Sequence, residues 1–177
     1  NTSVGLQALL ANTTATGNTA IGYQALTAST GEGQTAVGYS AAIANTTGTF
    51  HTAVGHKALF SNTTGSYNVA VGRNALLSNT TGSYNVALGA QALNTNTTGT
   101  QNTAIGFAAG YSLAADNYNT FIGWETGYLA TGSHNTLIGR YAGRNTTGEK
   151  TTIVGSNAGY QITTGASNTI LGRFDGN

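Results

Sequence analysis

Acidic side chains are the first candidates for chemistry, because two facing carboxylates can act as general acid and general base. The five acidic residues are Glu32, Asp116, Glu125, Glu149 and Asp175. They occur in different parts of the chain at unrelated spacings, and no two are placed to face each other. We therefore interpret them as solvated turn residues, and the sequence predicts no catalytic residue.

Histidine is the other residue type that could bind a metal ion or take part in catalysis. The chain has three, His51, His56 and His134, and no cysteine. His51 and His56 flank one glycine, and a symmetric trimer would bring three copies of either around a metal ion or an anion. Neither has an Asp or Cys beside it, so chance substitution at variable positions is the simpler interpretation. No Ser/His/Asp spacing or phosphate loop stands out, and we expect no metal, no cofactor and no enzyme activity.

The triplet Asn-Thr-Thr recurs and is formally an acceptor for N-glycosylation. The same triplet followed by Gly also suits a tight turn, because Asn and Gly tolerate positive φ. Both interpretations stand at this point. The asparagines concerned are Asn12, Asn45, Asn62, Asn79, Asn96 and Asn145.

Charge and composition exclude several partner classes. The 177 residues include six Lys or Arg and five Asp or Glu, a net charge of +1, without the clustered cations of a nucleic-acid binder. No apolar run reaches the roughly 20 residues needed to span a bilayer, so we expect no membrane insertion in this segment. Thr, Gly and Asn supply 32, 26 and 19 residues, yet 39% of the chain is hydrophobic. This indicates a folded but repetitive protein.

An aliphatic residue followed by glycine recurs every 16 or 17 residues along the whole sequence. The eleven repeat glycines are Gly5, Gly22, Gly38, Gly55, Gly72, Gly89, Gly106, Gly123, Gly139, Gly155 and Gly172. Such a period is too short for helical repeats, and glycine and β-branched residues disfavour helix. It suits one coil of a β-solenoid, with two short strands and two turns, stacked at about 4.8 Å per coil. We predict an all-β parallel β-solenoid (β-roll) of eleven coils, a single domain over residues 1–177 and a fragment of a longer surface fibre protein.

Positions within a coil are counted here from its repeat glycine, which itself requires either positive φ or a closely packed neighbour. Asn is common at position −4 and is expected to form a ladder along the axis, interrupted at Gln34, His51 and Thr151. Position −2 is small in the first seven coils and large in the last four, whereas position +4 changes from Leu to Gly. Because close-packed interiors conserve volume, we predict that positions −2 and +4 share one core slot. A fusion of two repeat subfamilies is the alternative.

The remaining apolar residues are too many for one thin coil to bury. We expect the aliphatic residue at −1 and the alanine at +3 to form a second core row. Large residues at +1 and +5, such as Tyr23, Trp124, Phe60 and Tyr128, are then left over. Contiguous apolar stripes mark interfaces, and identical rods bury them by rotational symmetry. We therefore predict a homotrimer.

The repeat Asn-Thr-Ala-Ile-Gly-x-x-Ala at residues 18–25 and 102–109 resembles the Ser-Val-Ala-Ile-Gly-x-x-Ala/Ser repeat of the YadA-like head of trimeric autotransporter adhesins. The form Asn-Thr-Phe-Ile-Gly at 119–123 is similar to repeats of phage tail fibres and bacterial surface fibres. The resemblance covers all 177 residues, although the period is near 17 rather than the 14 common in that family. It implies a left-handed, trimeric β-roll that binds host matrix or surface molecules.

The leading functional hypothesis is a non-enzymatic fibrous surface protein, the head or shaft of an adhesin or tail fibre, located outside the cell or on a virion. Its partners would be other copies of the chain and a host surface protein or glycan, but not nucleic acid. The alternatives are an extracellular filament of solenoids stacked end to end and, from the Thr file at position −3, an ice-binding protein. Five residues depart from the uniform repeat and are the candidate recognition residues, unless they only reflect drift on a tolerant surface: Arg73, Trp124, Arg140, Tyr141 and Arg173.

Overall fold

Each repeat forms one coil of a parallel β-solenoid. The computed structural model describes residues 1–173, and these contain no helix. The strands are β1 (Thr2–Val4), β2 (Thr19–Ile21), β3 (Thr35–Val37), β4 (Thr52–Val54), β5 (Val69–Val71), β6 (Val86–Leu88), β7 (Thr103–Ile105), β8 (Thr120–Ile122), β9 (Thr136–Ile138), β10 (Thr152–Val154) and β11 (Thr169–Leu171). They form one parallel sheet in chain order, with equivalent residues of successive coils in register. The predicted all-β parallel solenoid is confirmed.

Only one side of each coil is a β-strand, so the expectation of two strands per coil is wrong. The other side is a series of turns in which positions +2 and +4 have positive φ, as at Lys57 (φ 54°) and Leu59 (φ 54°). The backbone there still bonds to the next coil, with Leu59 N–H donating to the Ala75 carbonyl at 2.9 Å. Because every second residue in this segment has left-handed φ, the backbone cannot adopt the extended conformation of a β-strand.

The repeat glycine closes the strand at a corner that a larger residue would not fit. Gly55 has φ +133°, and a Cβ built on it would lie 2.7 Å from the carbonyl oxygen of Gly72 in the next coil. Both reasons anticipated from the sequence therefore apply, because the conformation favours glycine and a neighbouring backbone fills the side-chain space.

The core is a narrow column of alanine with a larger side chain in most coils, the exception being the slot between Ala42 and Ala53. In the later coils Phe121 fills the space that leucine fills earlier, since a Cβ on Gly110 would lie 2.6 Å from the Phe121 ring. Leu137 is enclosed in the same way, 3.1 Å from the Cβ position of Gly127 and 2.9 Å from that of Gly143. The prediction that positions −2 and +4 share one core slot is confirmed.

The aliphatic residue at position −1 points outward, which corrects the expectation that it belongs to the core. Side chains alternate along a strand, and each inward-facing residue at −2 from Ala20 to Ile153 is buried. Its flanking residues face the surface, and Leu88 is 44% exposed. The alanine at +3 is buried as expected in the interior coils, as Ala58 and Ala75 show. The outer face of the sheet thus has a threonine-rich column at −3 beside an aliphatic column at −1.

The shared core slot predicts strong coupling between Gly110 and Phe121. Phe121→Ala should cost about 3–5 kcal/mol by leaving a cavity, and Gly110→Leu about 1–3 kcal/mol by overpacking against Phe121. The double variant recreates the Leu and Ala pair of the earlier coils, so its cost should fall at least about 2 kcal/mol below the sum of the single costs. Urea unfolding of the four proteins measures the coupling. Additive costs would show that the two positions fill separate spaces.

Candidate functional site

Four of the five candidate recognition residues lie in one straight column. Arg73, Trp124, Arg140 and Arg173 each follow a repeat glycine and therefore occupy position +1. Backbone hydrogen bonds hold the column in register, because the carbonyl at +1 accepts from the N–H at +2 of the next coil. The Asn157 N–H, for example, donates to the Arg140 carbonyl at 2.8 Å. These residues were predicted one by one, as departures from the repeat, and their common position adds a shared column to that prediction.

Aromatic rings stack along the column at +1. The centroids of Tyr23 and Tyr39 are 5.2 Å apart, and His56 continues this stack at 5.3 Å. Phe107 and Trp124 form a second stack at 4.4 Å. Trp124 is 50% exposed, so one face of the pair is accessible in the single chain.

A second exposed aromatic column, at position −5, was missed by the sequence analysis. Phe50, Tyr67 and Tyr84 stack at 5.2 and 5.0 Å, and Tyr118 stacks with His134 at 4.9 Å. Each ring belongs to a residue with φ between 57° and 63° in the connecting turn. Their 16- or 17-residue spacing was a visible signal, but it lies outside the strand motif that drew attention.

Glu125 is part of a small surface cluster rather than a solvated turn residue. The Arg144 guanidinium lies 3.0 Å from the Glu125 carboxylate and 4.8 Å from the centroid of the Tyr128 ring. Tyr141, the fifth recognition candidate, occupies position +2 and is half-buried. The Arg140 guanidinium packs over its ring at 4.5 Å.

The remaining acidic residues and histidines do not converge. Glu32, Asp116 and Glu149 belong to coils that are not adjacent, and Asp175 lies outside the described residues. Within residues 1–173 no three His, Cys, Asp or Glu side chains are grouped to hold a metal ion. The same residues include no helix with the length and apolar character of a membrane span.

The predicted asparagine ladder at position −4 is confirmed, with an unexpected donor. The Asn68 Oδ1 accepts from the backbone N–H of Asn85 at 2.9 Å, and the Asn85 Oδ1 accepts from Asn102 N–H at 3.0 Å. The Nδ2 of Asn85 meanwhile donates to the carbonyl of Gly99 at 2.8 Å. Each amide therefore ties two separate backbone segments of its neighbouring coil.

His51 takes the place of asparagine in this ladder and mimics it. It is buried, its Nδ1 accepts from Asn68 N–H at 3.3 Å, and its Nε2 edge faces the backbone of Gly65. Burial lowers the pKa of His51 from 6.5 to about 4. A proton on Nδ1 would also confront the N–H of Asn68, so the folded protein requires the neutral ring.

The Asn-Thr-Thr triplets form a second, fully buried amide ladder. The Nδ2 of Asn62 donates to Asn45 Oδ1 at 2.7 Å, and Asn79 and Asn96 continue the chain at 2.7 and 2.8 Å. Each Nδ2 also donates to the glycine carbonyl three residues later, as from Asn79 to Gly82 at 2.9 Å. Both amide hydrogens are used, so these asparagines are interior turn residues.

Burial bears directly on the proposed glycosylation acceptors. Asn45, Asn62, Asn79 and Asn96 are wholly buried in the folded chain, which leaves no room for a glycan on their Nδ2 atoms. Asn12 and Asn145 are half-buried, and their Nδ2 atoms donate to the carbonyls of Ala15 and Tyr160, both at 3.1 Å. The turn interpretation accounts for the triplet at the four interior positions.

A cleft of about 460 Å³ opens on the column at +1 near the end of the described rod. It is lined by Arg140, Gly155, Ser156, Asn157, Gly172 and Arg173. Ser156 is the small residue between the two arginines, which accounts for the opening. The cleft therefore combines two guanidinium groups with hydroxyl and amide side chains.

Comparison with known proteins gives no relative: no protein-family model matches the chain, and neither a curated protein nor a solved structure is significantly similar to it.

Because the His51 ring must be neutral in the folded protein, the free energy of unfolding should depend on pH. The unfolded chain, with the ordinary pKa of 6.5, binds a proton between pH 6.5 and 4 that folded His51, with a pKa of about 4, does not. As the pH is lowered through this window, the free energy of unfolding should fall by on the order of 3 kcal/mol. Below the window, protonation of this residue should lower it no further. His51→Asn, the residue of the neighbouring coil, should remove that component from urea-unfolding free energies. His56→Asn at an exposed ring is the control, and an unchanged pH profile in His51→Asn would contradict the assignment.

The buried ladder predicts a large cost for Asn79→Ala. The change leaves Asn62 Oδ1 without a donor and one Asn96 Nδ2 hydrogen without its acceptor, whereas the Gly82 carbonyl keeps its bond from Asn68 Nδ2. Unfolding free energy should drop by about 3 kcal/mol or more, since each buried orphan costs about 1–3 kcal/mol. Asn12→Ala, at the same coil position but with one amide bond at the first coil, should cost less than about 1 kcal/mol. Equal costs in thermal or urea unfolding would contradict a cooperative interior ladder.

Proposed function

We propose that this chain is a non-enzymatic fibrous surface protein, the head or shaft segment of an adhesin or tail fibre that mediates attachment. The observation behind the proposal is that the side chains at each exposed position of the repeat form a straight column along one rod. Such a rod presents many equivalent contacts to a partner outside the cell, and weak contacts gain strength from repetition.

Rigidity of the rod supports this role. Successive coils are joined by backbone hydrogen bonds on both sides of the coil and by two amide ladders inside it. A stiff scaffold keeps its surface groups in fixed register and loses little entropy when a partner binds. The resemblance of the repeats to YadA-like heads favours the same location, at a cell surface or on a virion fibre.

We propose that three chains assemble around one axis through the outer face of the sheet. The aliphatic column at −1 is only half-covered in the single chain, as Ile21 at 39% and Leu88 at 44% exposure show. A continuous apolar column of this kind is typical of an interface between identical rods. The YadA-like resemblance implies the same trimer and a left-handed coil.

One observation favours a second function. The threonines at −3 lie in register on the outer face of a single parallel sheet, beside the aliphatic column, with Val69 and Val86 as the interruptions. A regular threonine surface of this kind suits ordered water, so ice binding is the second candidate. It requires this face to be open, whereas the trimer covers it.

Assembly is tested by mass in solution. Sedimentation equilibrium should give three times the 17.9 kDa of the chain. Val71→Lys places a charge in the aliphatic column and should yield folded monomers, because the position faces outward; their melting temperature should fall only by the stabilisation that trimer formation contributes. Gln101→Lys, exposed in the column at −5, should leave the trimer intact.

Other outcomes separate the alternatives. A mass that grows with concentration would favour the end-to-end filament over the trimer. A monomeric wild-type chain that shows thermal hysteresis, a freezing point below the melting point of ice in its solution, would favour ice binding. A trimer that survives Val71→Lys would place the interface elsewhere on the rod.

A further inference from the structure

We infer that the column at +1 binds an acidic polysaccharide along the last four described coils, with Arg140 and Arg173 holding its anionic groups and Trp124 supporting a sugar ring. The inference rests on the proposed attachment function and deepens it by naming the ligand class.

The two arginines form the anionic subsites. They lie two coils apart in the same column, which is about 9.6 Å at the spacing of parallel strands. The Arg140 guanidinium packs over the Tyr141 ring at 4.5 Å, and its N–H donors suit a carboxylate or sulfate. Ser156 is small, so an anionic group can enter between the two cations.

The local charge favours an anion. Among residues 1–173 the ion pair is Arg144 with Glu125, and neither Arg140 nor Arg173 lies within 4 Å of a described carboxylate oxygen. Arg144 engages Glu125 at 3.0 Å, and Glu149, which lies between Arg140 and Arg173 in the chain, occupies the connecting turn six residues before Gly155; Asp175 lies outside the described residues. The cleft therefore presents two positive charges on a protein that is otherwise nearly neutral.

The hydroxyl and amide groups in the cleft lining suit a ligand that also forms hydrogen bonds. The Oδ1 of Asn157 is buried without a hydrogen-bond partner among the described residues, but so is that of Asn74 at the same position of an earlier coil, so this feature belongs to the repeat. The exposed hydroxyl of Ser156 can both donate to and accept from a ligand hydroxyl. A simple inorganic anion offers this lining one small charged group, whereas a sugar brings several hydroxyl groups beside its carboxylate or sulfate.

Trp124 extends the site along the rod. It occupies the same column one coil before Arg140, and its ring is braced by Phe107 at 4.4 Å. A half-exposed, braced indole suits the apolar face of a sugar ring. Along the column the Trp124 ring is followed by Arg140, by the opening at Ser156 and by Arg173. This order suits a polymer that lies parallel to the axis of the rod.

A single-stranded nucleic acid would also use stacking and cations, but the surface fits it less well. Such strands are bound in grooves whose positive charge follows the whole backbone. Here two arginines stand on a chain of net charge +1, and the surroundings are rich in hydroxyl and amide groups.

The test uses Trp124, the single tryptophan of the chain, as a fluorescent probe. The purified wild-type protein is titrated with polygalacturonate, dextran sulfate, neutral dextran and oligothymidylate, with calorimetry in parallel. We expect a saturable change with at least one acidic polysaccharide and none with dextran. The first two ligands distinguish carboxylate from sulfate recognition.

Variants locate the site. Arg140→Gln and Arg173→Gln should each weaken binding about tenfold, because each removes charge-assisted hydrogen bonds. Lys150→Gln removes the same charge from an exposed residue in another column and should leave the affinity unchanged. Unchanged circular dichroism melts confirm that the variants remain folded.

Several results would overturn the inference. These are no saturable binding of either acidic polysaccharide, equal binding of dextran, tighter binding of oligothymidylate, or equal loss in Lys150→Gln. A chain that forms the expected trimer but binds no acidic polysaccharide would refute this ligand assignment and leave the proposed attachment function in place.

Discussion

The close approach of successive coils at the repeat glycine is the constraint on which the structure depends. A Cβ on Gly123 would lie 2.5 Å from the carbonyl oxygen of Gly139, so one backbone occupies the side-chain space of the next. Hydrogen bonds on both sides of the coil hold this spacing. Every side chain is thereby placed directly over its equivalents, which turns sequence periodicity into columns inside and outside the rod.

The interior satisfies this constraint in two different ways. In coils with Leu at +4, the inner column contains Asn62, Asn79 and Asn96, and their amides form a continuous chain. This chain of side-chain amides ends at Asn96, because Leu113 occupies the equivalent position in the next coil. The Oδ1 of Asn96 is therefore left without a partner. The later coils place Phe121 and its equivalents in the slot and keep glycine at the strained left-handed position, where leucine costs about 1 kcal/mol. This one inner column thus loses its amides in the later coils, whereas the amide ladder at −4 continues through Asn119 and Asn135.

The sequence predicted those features that depend on period and volume. The stacked coils, the glycine corner, the ladder at −4 and the slot shared by Gly110 and Phe121 all follow from spacing and size. It did not predict the outward orientation of the aliphatic residue at −1, because a three-residue strand is too short to show which alternating face is apolar. It also missed the single strand per coil, since left-handed φ at Leu59 or Lys57 leaves no signature in residue type. The common column of Arg140 and Arg173 was visible in the numbering, whereas their joint cleft required coordinates.

Distances between spin labels along one column test the central claim most directly. The natural chain has no cysteine, so pairs can be introduced at will. Lys150→Cys combined with Tyr84→Cys, Tyr67→Cys or Phe50→Cys places labels four, five or six coils apart in the column at −5. Measured on labelled chains diluted with unlabelled protein, the distance should rise by about 4.8 Å for each added coil. Distances without this constant increment would contradict the stacking of one repeat per layer.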